Sequence, residues 1–377
     1  MQNIYCEFGA INKMAQIIKD NKIENLLIVT DERLYAPCGA EKSLSSILEK
    51  IKFGKFTDFE INPKIEDIQK GIEIQQKGKF DGILAIGGGS VIDIAKAINI
   101  LAAQEGPPEE YIKARLKISR KGLPLIAAPT TSGTGSEATH FAVVYIDKIK
   151  YSLADHRILP DYALVDPNFT MALPKNITAA TGFDALAQGI ESYWAVGASE
   201  ESLSYAEQAI KLSLTNLEQA VNNPDKTSRL AMARAANFAG RAINIGKTTA
   251  PHALSYYLTS YFNIPHGHAV GITLGNFIHY NSMISESDCN HPKGVNWVRG
   301  NIRRLLEIMG KPSTESARDM LYSLMDKIEL ETDIEKLGFN FQKDLTPFVE
   351  SINMERLSNN PRKLDSRDVE KLLRRPN

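Results

Sequence analysis

Near-continuous apolar runs constrain the fold of this chain more than any other feature. Leu26-Leu-Ile-Val-Thr30, Gly82-Ile-Leu-Ala-Ile86 and Pro124-Leu-Ile-Ala-Ala128 show no alternation of apolar and polar residues. A strand with one wet face alternates, because successive side chains point to opposite faces. A run without alternation predicts a strand buried on both faces, and several such runs separated by helical patterns predict a parallel sheet covered by helices. Val91-Ile-Asp-Ile-Ala-Lys-Ala97 supplies one of those helices. Ala142-Val-Val-Tyr-Ile-Asp147 and Lys150-Tyr-Ser-Leu-Ala154 predict a hairpin laid onto the sheet.

The pattern changes near Pro160. Pro160, Pro167 and Pro174 punctuate a short connection, and beyond it apolar residues recur at helical spacing. Leu203, Ala206, Ile210, Leu214, Leu217 and Val221 share one face of a helix that Asn222-Asn-Pro-Asp225 stops. The expected fold is α/β: a Rossmann-like parallel-sheet domain over residues 1–170, followed by an all-α domain over 171–377. A length of 377 residues exceeds one ordinary core and fits two domains.

Charge and hydropathy exclude some functions. The net charge of −1 and the lack of any basic run beyond Lys371-Leu-Leu-Arg-Arg375 argue against nucleic acid as a partner. No apolar stretch approaches the roughly 20 residues of a membrane span. The amino end lacks the charged and apolar segments of a secretory signal. Cys6, Cys38 and Cys289 lack CxxC spacing and read as reduced thiols of a cytoplasmic protein.

Two loops carry a nucleotide argument. Gly87-Gly-Gly-Ser90 lies between a strand end and a helix start, where a pyrophosphate can approach the backbone and meet the first helical amides. Taken alone it is equally a tight turn. Pro129-Thr-Thr-Ser-Gly-Thr-Gly135 follows the next strand end with more hydroxyls and glycines, and the pair would line one crevice. Asp31 ends the first run, where a carboxylate can accept a hydrogen bond from an adenosine ribose and repel the 2′-phosphate of NADP. It is otherwise a solvated turn residue.

Metal-ligand chemistry is concentrated further on. Asp184 and Gln188 are spaced to share one helical face, and His252 and His266 each stand at a helix start. Imidazole and carboxylate suit Fe²⁺ or Zn²⁺, whereas the Gln188 amide is a poor ligand for either. Either histidine alone reads as a cap or a surface group. His140, His156, His268, His279 and His291 keep that reading.

Taken together, these pieces resemble the iron-containing (group III) alcohol dehydrogenases over essentially the full length. The matching segments are Gly87-Gly-Gly-Ser90 with Asp93 and Lys96, Pro129-Thr-Thr-x-Gly-Thr-x-x-Glu137, Leu164-Val-Asp-Pro167, Thr181-Gly-x-Asp-Ala185 and Ile264-Pro-His-Gly267. The resemblance implies a dehydroquinate synthase-like fold with a dinucleotide-binding domain and a helical metal- and substrate-binding domain. It implies NAD(H) or NADP(H), with NAD favoured, a divalent Fe²⁺ or Zn²⁺, and a homodimer. Asp184, His252 and His266 match three of four metal-ligand positions, and Gln188 stands at the fourth, where histidine is usual. Gly88, Gly89, Ser90, Asp93, Thr130, Thr131, Thr134 and Lys150 match cofactor positions, and Asp31 the acidic ribose position. Tyr256 replaces a histidine proposed to assist proton transfer; its phenol, with a pKa of about 10, can relay a proton but is a poorer base.

Within that family, Thr139-His-Phe-Ala-Val-Val-Tyr145 and Lys247-Thr-Thr-Ala-Pro-His-Ala-Leu-Ser255 look most like the phosphonoacetaldehyde reductases. That implies reduction of phosphonoacetaldehyde to 2-hydroxyethylphosphonate. Lys247, together with Arg356, Asn359, Asn360 and Arg362, offers donors suited to an anionic head. A solvated Lys247 and a packing role for Arg362 are the plainer readings. Other dehydrogenases or cyclising enzymes on the same fold, and a catalytically silent nucleotide-binding relative, remain open at this stage.

Overall fold

A computed structural model describes residues 2–60, 62–147, 149–352 and 357–376. The chain divides into two compact units, Met1–Leu173 and Pro174–Asn377. In the first, the described residues form eight strands: β1 (Asn3–Cys6), β2 (Asn25–Thr30), β3 (Lys52–Phe56), β4 (Gly82–Gly87), β5 (Leu125–Pro129), β6 (Phe141–Ile146), β7 (Ile149–Ala154) and β8 (Tyr162–Val165). Helices α1 (Met14–Asp20), α2 (Glu32–Tyr35), α3 (Ala40–Leu48), α4 (Ile65–Gly78), α5 (Gly89–Ala102) and α6 (Pro108–Ile112) connect them. Six strands pair in parallel in the order β1-β8-β5-β4-β2-β3, while β6 and β7 form a separate antiparallel pair.

The three apolar runs are β2, β4 and β5, neighbours at the centre of the sheet. Their side chains split between two cores with period two. Leu27, Val29, Ile83, Ala85, Leu125 and Ala127 face a cluster containing Ile68, Ile94 and Ile98. Leu26, Ile28, Leu84, Ile86, Ile126 and Ala128 face one containing Met14, Ile17 and Leu44. Burial on both faces is the physical reason the runs lack polar residues. Each fully buried leucine or isoleucine contributes about 1.5–3 kcal/mol.

The Leu164-Val-Asp-Pro167 segment ends this unit. Asp166 accepts hydrogen bonds from the amides of Gly9 (3.1 Å), Ile11 (3.3 Å) and Asn168 (3.1 Å), tying the end of β8 to the segment after β1.

The regular elements of the second unit are helices, joined by irregular connections among its described residues. It comprises α7 (Lys175–Ser192), α8 (Glu200–Asn222), α9 (Lys226–Gly246), α10 (Ala250–Phe262), α11 (His266–Ser282), α12 (Gly294–Met309), α13 (Thr314–Lys327), α14 (Phe341–Glu350) and α15 (Val369–Leu373). Its core joins Phe183, Leu186 and Ile190 of α7 to Ile210 and Leu217 of α8, Met232 of α9 and Phe277 of α11. Helix α10 begins at Ala250 with Pro251 in its first turn, so His252 stands in that first turn, at the helix start.

Candidate metal centre and nucleotide loops

Three of the predicted ligands converge. One ligand atom each from Asp184, His252 and His266 lies within 4.8 Å of the others, and His252 Nε2 is 3.2 Å from Asp184 Oδ1. The local cause is a close helix approach. A Cβ on Gly267 would lie 2.0 Å from the Ala180 carbonyl oxygen and 2.6 Å from Asp184 Cβ, so only glycine lets α11 begin against α7. His266, the first residue of α11, is thereby set beside Asp184. Ser255 Oγ donates to the His252 carbonyl (2.8 Å) and lies 3.3 Å from His266 Nδ1. With its proton committed, that hydroxyl accepts from an Nδ1–H, which leaves the His266 Nε2 lone pair for the centre.

Gln188, one turn on from Asp184, is buried beside it, and its Nε2 donates to Asp184 Oδ2 at 3.1 Å. Tyr256, four residues past His252 on α10, stacks parallel to the His266 ring with centroids 5.9 Å apart. It is half-buried.

A residue that the sequence reading did not single out completes the centre. Glu191, fully buried on α7, takes His252 Nδ1 with Oε1 and accepts from the Thr249 amide (2.6 Å) and hydroxyl (2.7 Å) with Oε2. Trp194 Nε1 donates to the same Thr249 hydroxyl at 2.9 Å. Burial opposes a charged His252, but the Glu191 carboxylate and the bonds to Asp184 and Glu191 outweigh it and raise the imidazolium to about 10. Asp184, Gln188 and Glu191 fall at i, i+4 and i+7, one stripe of α7. That spacing was the available signal, and it becomes informative only once α7 is known to be buried nearly all round. The donor set of two imidazoles and a carboxylate, with a second carboxylate on the far side of one imidazole, fits a borderline divalent cation.

The turn feeding α10 is strained. Lys247 has φ 58° and ψ 174°, a combination that essentially only glycine adopts without cost, and its side chain is exposed. Asn359 holds the turn in place. Its Nδ2 donates to the carbonyls of Gly246 (2.8 Å) and Thr248 (2.9 Å), on either side of Lys247, while its Oδ1 accepts from the Gly197 amide (3.0 Å).

The other donors expected for an anionic head are spent on the fold. Arg362 bonds Asp288 (2.7 Å) and the Tyr280 carbonyl (2.8 Å). Asn360 is fully buried and donates to Asn281 (3.0 Å). These bonds fit the packing reading of Arg362, and Arg356 lies outside the described residues.

In the first unit, Asp31, Gly88–Ser90 and Thr130–Thr134 follow the carboxyl ends of β2, β4 and β5. The chain leaves β2 toward β3 and leaves β4 toward β5, in opposite directions, which is the switch point where open α/β sheets bind ligands. The two glycine-containing loops touch: a Cβ on Gly89 would lie 2.7 Å from Thr134 Oγ1, whereas one on Gly88 would meet Thr131 at an ordinary 3.6 Å. Gly88, Gly89, Ser90, Thr131 and Thr134 keep partial exposure at the start of α5, a fit for phosphate oxygens.

Thr130 is buried; its amide bonds the Gly87 carbonyl (2.9 Å), while its hydroxyl has no partner among the described residues. Other predicted cofactor residues have structural partners. Asp93 accepts from the Ser136 hydroxyl and from the Val143 amide (3.0 Å), and burial pushes its pKa up. Lys150 lies on β7 opposite Tyr145. Asp31 caps α2 and receives Arg33 Nε (2.9 Å) and Nη2 (2.7 Å), bonds that hold its carboxyl below the usual range. The charge expected to repel a 2′-phosphate is thus shared with a guanidinium.

Comparison with known proteins agrees with this geometry. Residues 2–167 match the iron-containing alcohol dehydrogenase family, and residues 178–376 match its C-terminal domain. The chain belongs to the iron-containing alcohol dehydrogenases and is an alcohol or aldehyde oxidoreductase. It is 35% identical to long-chain-alcohol dehydrogenase 1 of Geobacillus thermodenitrificans over 71% of this chain and 69% of that protein. It is 34% identical to the phosphonoacetaldehyde reductase of Streptomyces viridochromogenes over 78% and 76%. The crystal structure of sulfoacetaldehyde reductase from Bifidobacterium kashiwanohense in complex with NAD⁺ superposes with a TM-score of 0.87 at 29% identity, covering 99% of this chain and 96% of that one. No helix among the described residues is long and apolar enough to cross a membrane.

Proposed function

We propose that the chain reduces a two-carbon aldehyde with an anionic head, phosphonoacetaldehyde to 2-hydroxyethylphosphonate, using NADH and a divalent Fe²⁺ or Zn²⁺. The observation that carries this reading is the strained Lys247 turn, five residues before the metal ligand His252 and clamped on both sides by Asn359. Strain held in place by dedicated hydrogen bonds marks a position where a side chain is being presented. The two relatives named for phosphonoacetaldehyde and sulfoacetaldehyde support the same substrate class.

When bound, the cation supplies Lewis acidity toward the aldehyde oxygen, and the nicotinamide supplies the hydride. The residues of the chain do the rest. Asp184, His252 and His266 hold the cation, with Gln188 steadying Asp184. Gly88, Gly89, Ser90, Thr131 and Thr134 receive the dinucleotide phosphates, and Asp31 the adenosine ribose. Lys247 binds the phosphonate head. Tyr256, on the His252 face of α10, passes a proton to the carbonyl oxygen as hydride adds to the carbon. A homodimer in the cytoplasm is part of this reading, in keeping with Cys6, Cys38 and Cys289 forming no disulfide.

A charge-assisted contact to the head is worth about 1.5–3 kcal/mol, or roughly 10- to 100-fold in kcat/KM. The test is NADH oxidation with phosphonoacetaldehyde, sulfoacetaldehyde and propionaldehyde under identical metal loading. The expected order places phosphonoacetaldehyde at least about tenfold above propionaldehyde. Equal or better use of the neutral aldehyde would assign the chain to a general short-chain alcohol or polyol dehydrogenase instead. No turnover of any aldehyde, alongside NAD binding, would make it a silent nucleotide-binding relative.

A further inference from the structure

Glu191 is a buried carboxylate with an unusual set of partners. Among the described residues, the ion pair it makes is with His252, and its other side-chain partner is Thr249. A buried carboxylate without compensation costs several kcal/mol, so its counter-charge must lie close by. No lysine or arginine among the described residues bridges to it within 4.0 Å; what faces it is the imidazole of a metal ligand. The remaining lone pairs are occupied by the Thr249 amide and hydroxyl, and the hydroxyl is in turn fixed by Trp194 Nε1.

We propose that Glu191 is a positioning residue of the metal centre: it keeps the proton on His252 Nδ1, turns Nε2 toward Asp184, and strengthens His252 as a donor where the fourth ligand position is Gln188. The proposal rests on the metal-dependent reading above. Two observations support the assignment independently. The carboxylate reaches Nδ1, leaving Nε2 as the nitrogen 3.2 Å from Asp184 Oδ1. A carboxylate behind an imidazole also raises the basicity of the opposite nitrogen, which a centre with a weak amide in place of a histidine needs more than a four-ligand centre does.

Glu191→Gln tests this sharply. A carboxamide has one acceptor oxygen, but the site presents donors on both sides: His252 Nδ1–H on one, the Thr249 amide and hydroxyl on the other. The variant cannot satisfy both. The measurements are Zn²⁺ affinity by chelator competition and the visible spectrum of the Co²⁺-loaded protein, with the unfolding temperature of the metal-free protein taken in parallel.

The expected result is a 10- to 100-fold weaker Zn²⁺ affinity and an altered Co²⁺ spectrum. Thr249→Val, which removes one of the three bonds to Glu191, should show a smaller shift in the same direction and serves if Glu191→Gln does not fold. Tyr322→Phe, which removes a buried hydrogen bond to the Ile272 carbonyl elsewhere in the unit, should leave Zn²⁺ affinity unchanged while lowering stability. Unchanged Zn²⁺ affinity and Co²⁺ spectrum in Glu191→Gln would overturn the positioning role with the metal reading intact. Failure of the unmodified protein to bind Zn²⁺ or Co²⁺ would overturn both.

Discussion

The nucleotide loops and the metal centre are built in opposite ways. In the first unit, the groups suited to a dinucleotide come from short contiguous segments at strand ends, and much of what they offer is backbone. In the second, three side chains on α7, α10 and α11 meet through helix packing, and their placement depends on Gly267, Ser255, Glu191 and Thr249. A backbone site is written locally and tolerates change around it. A side-chain site assembled from distant helices depends on its supports. If that contrast is correct, each site can be damaged without harming the other.

The largest effect belongs to the ligands. His252→Ala removes a donor and leaves Glu191 buried opposite no imidazole. Lewis-acid assistance is worth several kcal/mol, so kcat/KM for the aldehyde should fall on the order of 1000-fold, with metal content lost and NAD affinity preserved. Retained metal and reduction in this variant would refute the centre. The complementary change is Gly89→Val. Its Cβ alone would lie 2.7 Å from Thr134 Oγ1 and its branches closer still, so the two loops must part. NAD affinity should weaken roughly 10- to 100-fold by isothermal titration, with Zn²⁺ affinity unchanged; linked losses in both would break the comparison.

The same contrast explains what could be read from the sequence. β2, β4 and β5 were legible because burial on both faces removes alternation within a window of five or six residues. Asp184, His252 and His266 were visible as residue types, and their pairing came from a family likeness rather than from spacing. Glu191 and Asn359 were not read as supports. A glutamate in a helix is usually solvated, and only packing of α7 on all sides makes this one a partner of His252. In the sequence Asn359 looks like a substrate donor, whereas its side-chain bonds go to the backbone around Lys247 and Gly197. Arg362 misled for the same reason: a guanidinium near the end of the chain looks available until Asp288 and Tyr280 are seen to hold it.

A further test concerns protons. In the metal-free protein His252 is raised to about 10 from an ordinary 6.5. The folded pKa is the higher one, so the imidazolium stabilises the fold fully below about pH 6.5, and that contribution is lost as pH rises through about 10. A cation must displace the proton from Nε2. Below pH 10, Zn²⁺ affinity should therefore climb by at least about one log unit per pH unit, while the unfolding temperature of the metal-free protein declines between about pH 6.5 and 10. Titration calorimetry in two buffers of different ionisation enthalpy should detect at least one proton released per ion at pH 7.5. A pH-independent affinity would mean that His252 is not a ligand.

The smallest expected change separates strain from chemistry at Lys247. Its backbone sits where glycine is at ease and a side chain costs of order 1–3 kcal/mol, and Asn359 supplies the bonds that hold it there. Lys247→Gly removes the strain and the cation together. Some of the relief is offset by the greater freedom of glycine in the unfolded chain, so stability should rise by about 0.5–1 kcal/mol. Over the same change, KM for phosphonoacetaldehyde should increase roughly tenfold, while propionaldehyde kinetics move by less than about twofold. Lys247→Arg should keep the anion contact and gain no stability, because the strain stays. A strained turn without a substrate role predicts a different outcome: the glycine variant would gain the same stability with no loss of the anionic substrate.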